Sequence, residues 1–337
     1  MKIIVSGYHN PHFLTITEYM ERAIKALGHD LIIYDDRQHP VPGSVRRRVK
    51  WLESIDSRHI NKKLVLLVQA TFPDLLIVTG GHRIKADTVT TIKKMNIPTV
   101  LWTIDPPSNF QPIIDAAPRY DYIFCQGTEA NELLAKAGIT GSHWLPMACD
   151  PFYHHPVEVS EQEKKRYGND LVFVGSFYPN RAELLERLTK FDLGLWGPGW
   201  DQLSSESSLR KHVRGLQVTP DIWRKIYCAS SIMLTPHYQD VNNRFPVYQA
   251  SPKIFEAMAC GAFVMSDNQK DVFKLFKKGV HLEVFYNLED LKEKLSYYLN
   301  HPEERMKIAK QGRQEVITNH TYVKRIEKLF SIIHNDE

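Results

Sequence analysis

The sequence is poor in cysteine, has no long apolar run and lacks a glycine-rich dinucleotide motif after its first strand. Its four cysteines are scattered without CxxC spacing, which argues against a disulfide framework and against a zinc site. No apolar run approaches the roughly 20 residues that span a bilayer. Segment 1–7 is typical of a core strand rather than a signal peptide, and the turn after it has no GxGxxG pattern. We therefore expect a cytoplasmic protein without a metal site.

The length and composition indicate two globular domains. A chain of 337 residues exceeds what one hydrophobic core usually supports. Its hydrophobic content of 43% and charged content of 24% are ordinary for a globular protein. The net charge of +4 suits an anionic substrate such as a sugar nucleotide, and it is equally within ordinary variation.

Short apolar strands alternate with amphipathic helices along most of the chain. Because parallel strands need helical crossovers, this alternation predicts an α/β fold with right-handed βαβ units. Periodicity breaks around a histidine pair, 154–155, which we interpret as linker, so we expect one domain at 1–153 and a second at 154–318. The remaining segment, 319–337, has the pattern of a terminal amphipathic helix. The predicted strands lie near 3–6, 31–34, 75–78, 99–104, 122–125, 143–148, 170–174, 193–196, 231–237, 262–265 and 281–285.

One long predicted helix, 44–68, carries an excess of basic residues. Its apolar stripe includes Ile55, and its polar side includes Asp56 among the arginines and lysines of 44–63. The pattern fits a solvated helix face, and it also fits a contact with a phosphate-rich partner such as nucleic acid.

Polar residues follow the strands of the first domain, where α/β proteins bind ligands. His9 and Asn10 follow the first strand, and His82 follows the Gly-Gly pair after the third. Asp105 ends the fourth and is followed by two prolines, which places it well for chemistry. Each residue also has an ordinary alternative, since a turn aspartate bonds its own loop and a loop histidine often caps a helix.

Two glycine-containing turns open the second domain. Gly175 and Ser176 end a buried strand, and Arg181 begins the following helix, so a phosphate could approach the helix start and meet the guanidinium. Gly197 lies in a turn between Trp196 and Trp200. This turn could form a wall for a nucleotide base with one tryptophan stacking on it, or both rings could belong to the core.

The segment 251–267 is the most informative in the chain. Ser251 and Pro252 fit the start of a helix that is apolar almost all round and therefore buried. Lys253 and Glu256 are the charged residues in its first turns. A buried helix start attracts an anion, and Glu256 either faces a ligand or pairs with a neighbouring cation.

The run 255–261, Phe-Glu-Ala-Met-Ala-Cys-Gly, resembles the donor-site segment of GT-B glycosyltransferases of the CgeB-like group. The resemblance implies two Rossmann-like domains facing each other across a cleft, with the last helix crossing back to the first domain. It also implies that Glu256 bonds the ribose of a nucleotide sugar and that the helix start holds the diphosphate. Gly175, Ser176 and Arg181 match the floor of that donor site. Many retaining members have a glutamate where this chain has Tyr248, so the stereochemical outcome stays open.

The resemblance implies a metal-independent hexosyltransferase without a cofactor that uses a UDP-, GDP- or dTDP-linked sugar. Departure of the diphosphate would be stabilised by Arg181, Lys253 and the helix start at Ser251. Asp105 is the first candidate for a general base and His82 the second. Two alternatives remain: a glycosyltransferase of the same fold that modifies nucleic acid through helix 44–63, and a non-catalytic protein that binds nucleotide sugars. The acceptor and the oligomeric state are not indicated.

Overall fold

The computed structural model describes residues 1–10, 13–38, 50–104, 110–239 and 245–335, with the side chains of residues 50 and 51 excepted. The chain divides into two compact units, Met1–Pro146 together with Arg325–Glu337, and Met147–Lys324. The domain limits expected after residues 153 and 318 stay predictions beside this division.

The first unit contains a six-stranded parallel sheet in the order β2-β1-β3-β4-β5-β6. Its strands are β1 (Lys2–Gly7), β2 (Asp30–Asp35), β3 (Leu75–Thr79), β4 (Thr99–Thr103), β5 (Tyr122–Cys125) and β6 (Ser142–Trp144). Its helices are α1 (Ile16–Ala26), α2 (Lys50–Thr71), α3 (Ala86–Lys93), α4 (Gln111–Ala116) and α5 (Thr128–Lys136).

The central strands of this sheet are buried on both faces. Ile4 of β1 lies opposite Ile32 and Leu76 of its two neighbouring strands. Ile60 and Leu64 of α2 pack in the same core as Ile4 and Leu76. This coverage explains why the strands are continuous apolar runs rather than alternating patterns.

The long helix differs from its prediction at one turn. Residues 44–49 lie outside the described part of the chain, and α2 begins at Lys50. Ile55 is exposed, whereas Asp56 is fully buried with Oδ2 3.5 Å from Nη2 of Arg83. The expected assignment of these two side chains was therefore wrong, because the buried ion pair takes the inward position that the apolar pattern gave to Ile55.

The second unit contains another six-stranded parallel sheet, in the order β12-β11-β10-β7-β8-β9. Its strands are β7 (Leu171–Val174), β8 (Leu193–Trp196), β9 (Val213–Gly215), β10 (Ile232–Thr235), β11 (Val264–Asp267) and β12 (Glu283–Phe285). Its helices are α6 (Glu161–Tyr167), α7 (Pro179–Glu186), α8 (Pro220–Ala229), α9 (Pro252–Ala259), α10 (Lys270–Leu275), α11 (Leu288–Asn300) and α12 (Pro302–Asn319). The two parallel sheets confirm the predicted α/β fold class.

The last helix, α13 (Tyr322–Asn335), belongs mostly to the first unit. Arg325 donates from Nε to the carbonyl oxygen of Pro146 at 2.8 Å. Tyr122 of β5 donates from its hydroxyl to the carbonyl oxygen of Ile333 at 3.3 Å. The chain thus leaves the first unit once and returns to it in this helix.

The segment around the histidine pair is more ordered than the sequence predicts. His154 is buried, accepts a hydrogen bond at Nδ1 from the backbone N–H of Asp150 at 2.8 Å, and lies 5.2 Å from the ring of Trp223. Burial lowers its pKa to about 3. The interpretation of His154 as linker was wrong, because its neutral ring fills the core beside α8.

Helix α9 packs against α12 at Gly312, which allows close approach of the two elements. A Cβ added at Gly312 would overlap the carbonyl oxygen of His281 and would lie 2.8 Å from Cε of Met258. Arg313 donates from Nε to the carbonyl oxygen of Ala259 at 3.1 Å, which satisfies a free carbonyl at the end of α9.

We predict that Gly312→Ala lowers the stability of the second unit. Alanine at a helix interior normally gains about 1 kcal/mol over glycine, but overlap with a backbone oxygen costs about 1–3 kcal/mol. Calorimetric unfolding should show a lower transition temperature for Gly312→Ala. Gln311→Ala, at an exposed position of the same helix, is the matched control and should change little. A rise in transition temperature for Gly312→Ala would contradict this packing.

Candidate functional site

The predicted residues of the second unit meet where β7 and β10 end. These two strands are neighbours at the centre of the sheet. The chain leaves β7 toward β8 and leaves β10 toward β11, in opposite directions along the sheet. Ligands of open α/β sheets bind at such a point, beyond the carboxyl ends of the strands.

The loops after β7 and β8 touch through two glycines. The backbone N–H of Gly175 donates to the carbonyl oxygen of Trp196 at 2.7 Å. Gly197 has φ +128°, and a Cβ added there would lie 2.5 Å from the carbonyl oxygen of Gly175. Glycine is therefore required at residue 197 both by its backbone conformation and by this close approach.

Both tryptophans beside Gly197 belong to the core. Trp196 is 5% exposed and Trp200 is 1% exposed. Trp200 donates from Nε1 to the carbonyl oxygen of Gly175 at 2.9 Å, and Trp196 packs against the ring of Tyr167 at 5.8 Å. Neither ring has an open face on which a base could stack. Of the two alternatives that the sequence allows, the structure therefore agrees with core packing.

Arg181 is a buried cation at the start of α7. Its side chain is 6% exposed, and it donates from Nε to the carbonyl oxygen of Pro236 at 3.0 Å and from Nη1 to that of Ser176 at 3.1 Å. The guanidinium lies 4.8 Å from the ring centre of Tyr178, and burial lowers its pKa. Within the described part of the chain it makes no ion pair, although the charge of Asp267 opposes the lowering of its pKa.

Lys253 brings a second positive charge to the same place. A Cβ added at Gly175 would lie 2.9 Å from its Cε, so its aliphatic chain runs over that glycine. Burial, together with the positive charge of Arg181, lowers the pKa of Lys253 to about 8, against an opposing effect of Glu256. Its ammonium group makes no hydrogen bond or ion pair to any residue that the structure describes.

Glu256 lies one turn further along α9. Burial raises its pKa, and Lys253 opposes this shift. Its carboxylate, half-buried, makes no ion pair and accepts no hydrogen bond within the described ranges. The ion pair that the sequence allowed as an alternative is thus not formed.

The start of α9 presents little free backbone. Pro252 has no N–H, the N–H of Ser251 donates to Nε2 of His237 at 2.9 Å, and that of Ile254 donates to the carbonyl oxygen of Ser251 at 3.0 Å. Ser251 makes no side-chain cap. Lys253 therefore provides both an ammonium group and the remaining N–H of the first turn.

Two residues of this arrangement were not identified from the sequence. His237 follows β10 and Asp267 ends β11, and the two side chains are hydrogen-bonded. Their positions at the carboxyl ends of neighbouring strands were the available signal, since the same rule identified Gly175 and Ser176.

The acceptor-side residues predicted from the sequence lie in the first unit. His9 contacts the carbonyl oxygen of Gly7 through Nδ1 at 3.2 Å and Oε1 of Glu21 through Nε2 at 2.7 Å. The hydrogen bond to Glu21 raises the pKa of His9, although burial opposes it. Because both ring nitrogens face oxygen acceptors, His9 is arranged to hold a proton rather than to remove one.

The other predicted residues of this unit are less informative. Asn10 donates to the hydroxyl of Tyr8 at 2.5 Å. His82 is half-buried and follows β3 after Gly81. Asp105, the first candidate base, lies outside the described residues.

The described ranges contain neither a metal-binding cluster nor a membrane-spanning helix. No group of three or more histidine, cysteine, aspartate or glutamate side chains there is placed to hold a metal ion. No helix in the same ranges is long and apolar enough to cross a membrane.

The two six-stranded parallel sheets with their helices match the fold of GT-B glycosyltransferase structures. Sucrose-phosphate synthase from Thermosynechococcus elongatus aligns with a TM-score of 0.71 and 11% identity over 100% of both chains. The HepE protein of Anabaena in complex with UDP and glucose aligns with a TM-score of 0.69 and 12% identity, over 99% of this chain and 100% of that one.

Sequence comparison gives a match in the second half of the chain. Residues 181–331 match the family model described as "Glycosyl transferase-like", and the chain has the GT-B fold. Spore protein CgeB of Bacillus subtilis (strain 168) is 23% identical over 279 residues, which cover 80% of this chain and 85% of CgeB. The chain is a distant homologue of that protein, which confirms the resemblance seen in the sequence.

We predict a pH-dependent contribution to stability from His9 and Glu21. Because the pKa of His9 is raised in the folded state, this contribution is complete below the unfolded value of about 6.5 and is lost as the pH rises through the folded value. The melting temperature of the wild type should exceed that of Glu21→Gln most at about pH 6, and the difference should shrink toward about pH 9.

Glu53→Gln, at an exposed carboxylate of the same unit, is the control and should show no such trend. A wild-type advantage over Glu21→Gln that grows with pH would contradict the protonated state of His9.

Proposed function

We propose that this protein transfers a hexosyl group from a nucleoside-diphosphate sugar to an acceptor hydroxyl, with the donor bound at the start of α9. The observation that carries the proposal is the pairing of Arg181 with Lys253. Two cations lie together at the carboxyl edge of the sheet, and neither has a carboxylate partner within the described part of the chain.

The proximity of these two positive charges is unfavourable, and a bound anion would reduce their repulsion. Burial and the charge of Arg181 both lower the pKa of Lys253, so the site disfavours its own positive charge when empty. A diphosphate would supply the missing counter-charge, and Arg181 has further N–H groups to offer it. Binding of the diphosphate would therefore raise the pKa of Lys253.

The same groups would act during the transfer itself. As the bond from the sugar to the diphosphate breaks, negative charge accumulates on the leaving group. Preorganised cations stabilise such charge without reorganisation at the moment of reaction. Arg181, Lys253 and the positive end of α9 would supply this stabilisation, so we propose a metal-independent reaction.

Glu256 would bind the nucleoside part of the donor. A carboxylate accepts hydrogen bonds from two neighbouring hydroxyl groups, and the ribose of a nucleotide offers such a pair. We propose UDP as the first nucleotide to test, with GDP and dTDP next, because the HepE protein was solved with UDP and glucose.

On the acceptor side we propose Asp105 as general base, with His82 as the second candidate. His9 and Asn10 would orient the acceptor rather than activate it. Both ring nitrogens of His9 are engaged with Gly7 and Glu21, so His9 would act by holding the loop that carries Asn10.

A thermal-shift panel tests the donor assignment. UDP-, GDP- and dTDP-linked sugars at concentrations well above their dissociation constants should raise the melting temperature, as any ligand of the folded state does. If no nucleotide sugar changes the melting temperature, the donor site is wrong. If a donor binds but is never hydrolysed or transferred, the protein belongs to the non-catalytic alternative.

We predict that Glu256→Ala weakens binding of the nucleoside diphosphate by about 10- to 100-fold, because hydrogen bonds to a charged group contribute about 1.5–3 kcal/mol. Isothermal titration calorimetry measures the effect. Glu183→Ala, at an exposed carboxylate of α7, is the control and should bind as the wild type does. Wild-type affinity in Glu256→Ala would remove Glu256 from the site.

Nucleic acid is a second candidate acceptor, favoured by the exposed basic face of α2. Arg58, Lys62 and Lys63 are exposed there. If this face contacts phosphates, log Kd for duplex DNA should change linearly with log salt concentration, and Lys62→Gln with Lys63→Gln should reduce the slope by about 2. Fluorescence anisotropy over a salt series measures the slope. Absence of binding at low salt would eliminate this candidate.

A further inference from the structure

His237 joins three parts of the second unit through one buried ring. The side chain is 2% exposed. Its Nδ1 contacts Oδ1 of Asp267, and its backbone N–H donates to Oδ2 of the same carboxylate at 3.1 Å. On its other side, Nε2 lies 2.9 Å from the backbone nitrogen of Ser251.

These contacts fix the tautomer of the ring. A backbone N–H can only donate, so Nε2 of His237 is the acceptor and carries no proton. The proton lies on Nδ1 and is donated to Asp267. Burial raises the pKa of Asp267, but the interactions with His237 and the hydrogen bond from Gln269 outweigh it and the net shift is downward. The carboxylate is therefore charged and orients the ring.

The backbone at His237 is held from the opposite side by α7. Asn180 donates from Nδ2 to the carbonyl oxygen of His237 at 3.1 Å. Arg181 donates from Nε to the carbonyl oxygen of Pro236 at 3.0 Å. The backbone of residues 236–237 thus binds the guanidinium of Arg181. The side chain of His237 binds the start of α9.

We propose that His237 is a positioning residue for the donor. Through Nε2 it fixes the backbone at Ser251, and with it the distance from the start of α9 to Arg181. Lys253, which carries both the ammonium group and the remaining N–H of the first turn, stands two residues after Ser251, so the geometry of the anion site depends on this hydrogen bond. This inference rests on the function proposed above.

The two nitrogens of the ring can be separated by substitution. In His237→Asn the amide nitrogen takes the place of Nδ1, so the bond to Asp267 is kept and Ser251 loses its acceptor. In His237→Gln the amide oxygen takes the place of Nε2, so Ser251 keeps its acceptor and the bond to Asp267 is lost. Each variant loses one buried hydrogen bond and the imidazole ring.

The test is calorimetric titration of the wild type and both variants with whichever of UDP, GDP and dTDP the wild type binds best. We expect His237→Asn to bind at least about tenfold more weakly than the wild type, and His237→Gln to recover most of that loss. Melting temperatures recorded in parallel should fall by similar amounts in the two variants, because a purely structural role does not distinguish them.

The outcomes separate the two proposals. If the wild type binds no nucleoside diphosphate, the proposed function fails and this inference fails with it. If the wild type binds but His237→Asn binds equally well, or the two variants lose affinity equally, only the positioning role is overturned. Should His237→Asn not fold, Asp267→Ala carries the same expectation, because it leaves His237 present but without the carboxylate that orients it; wild-type affinity in that variant overturns the role.

Discussion

The contact between the backbones of Gly175 and Gly197 determines the shape of the candidate site in the second unit. With side chains at these positions the loops after β7 and β8 could not touch, and Lys253 could not lie over Gly175. The indole N–H of Trp200 donates to the carbonyl oxygen of Gly175 and supports the same contact. The tryptophans therefore support the floor of the site, whereas the charged residues form its surface.

The two positive charges of the candidate site interact unfavourably with each other. Arg181 is buried and Lys253 is half-buried, so their like charges repel each other and each loses solvation. The surrounding structure compensates with carbonyl oxygens on Arg181 and with aromatic rings on either side of it. In the proposed anion site, the fold would supply the energy that keeps like charges together, and a bound anion would recover it.

The parts of the site that the sequence predicts are those that follow a local rule. Gly175, Arg181, Lys253 and Glu256 stand at strand ends or helix starts, where spacing alone gives their position. His237 did not stand out, because its role depends on Asp267, and the pairing of β10 with β11 appears only in the assembled sheet.

Other features that the sequence left open or misassigned have the same origin. The large aromatic side chains of Trp196 and Trp200 suit either a core or a base-binding wall, and only their packing in the folded chain decides between these two environments. Ile55 and Asp56 exchange their expected environments because Arg83, distant in sequence, provides a buried partner for the aspartate. The short strand β9, which pairs at the edge of the sheet, has too few residues for a recognisable pattern.

The path of the chain through the two units has a consequence for the order of folding. The second unit is continuous in sequence, whereas the first is interrupted by it and is completed by α13. During synthesis from the N-terminus, all strands of the first sheet are made before the second unit begins, yet their last covering helix is made after it ends. The first unit therefore cannot be completed until the whole second unit has been synthesised, and until then the surface that α13 covers stays exposed.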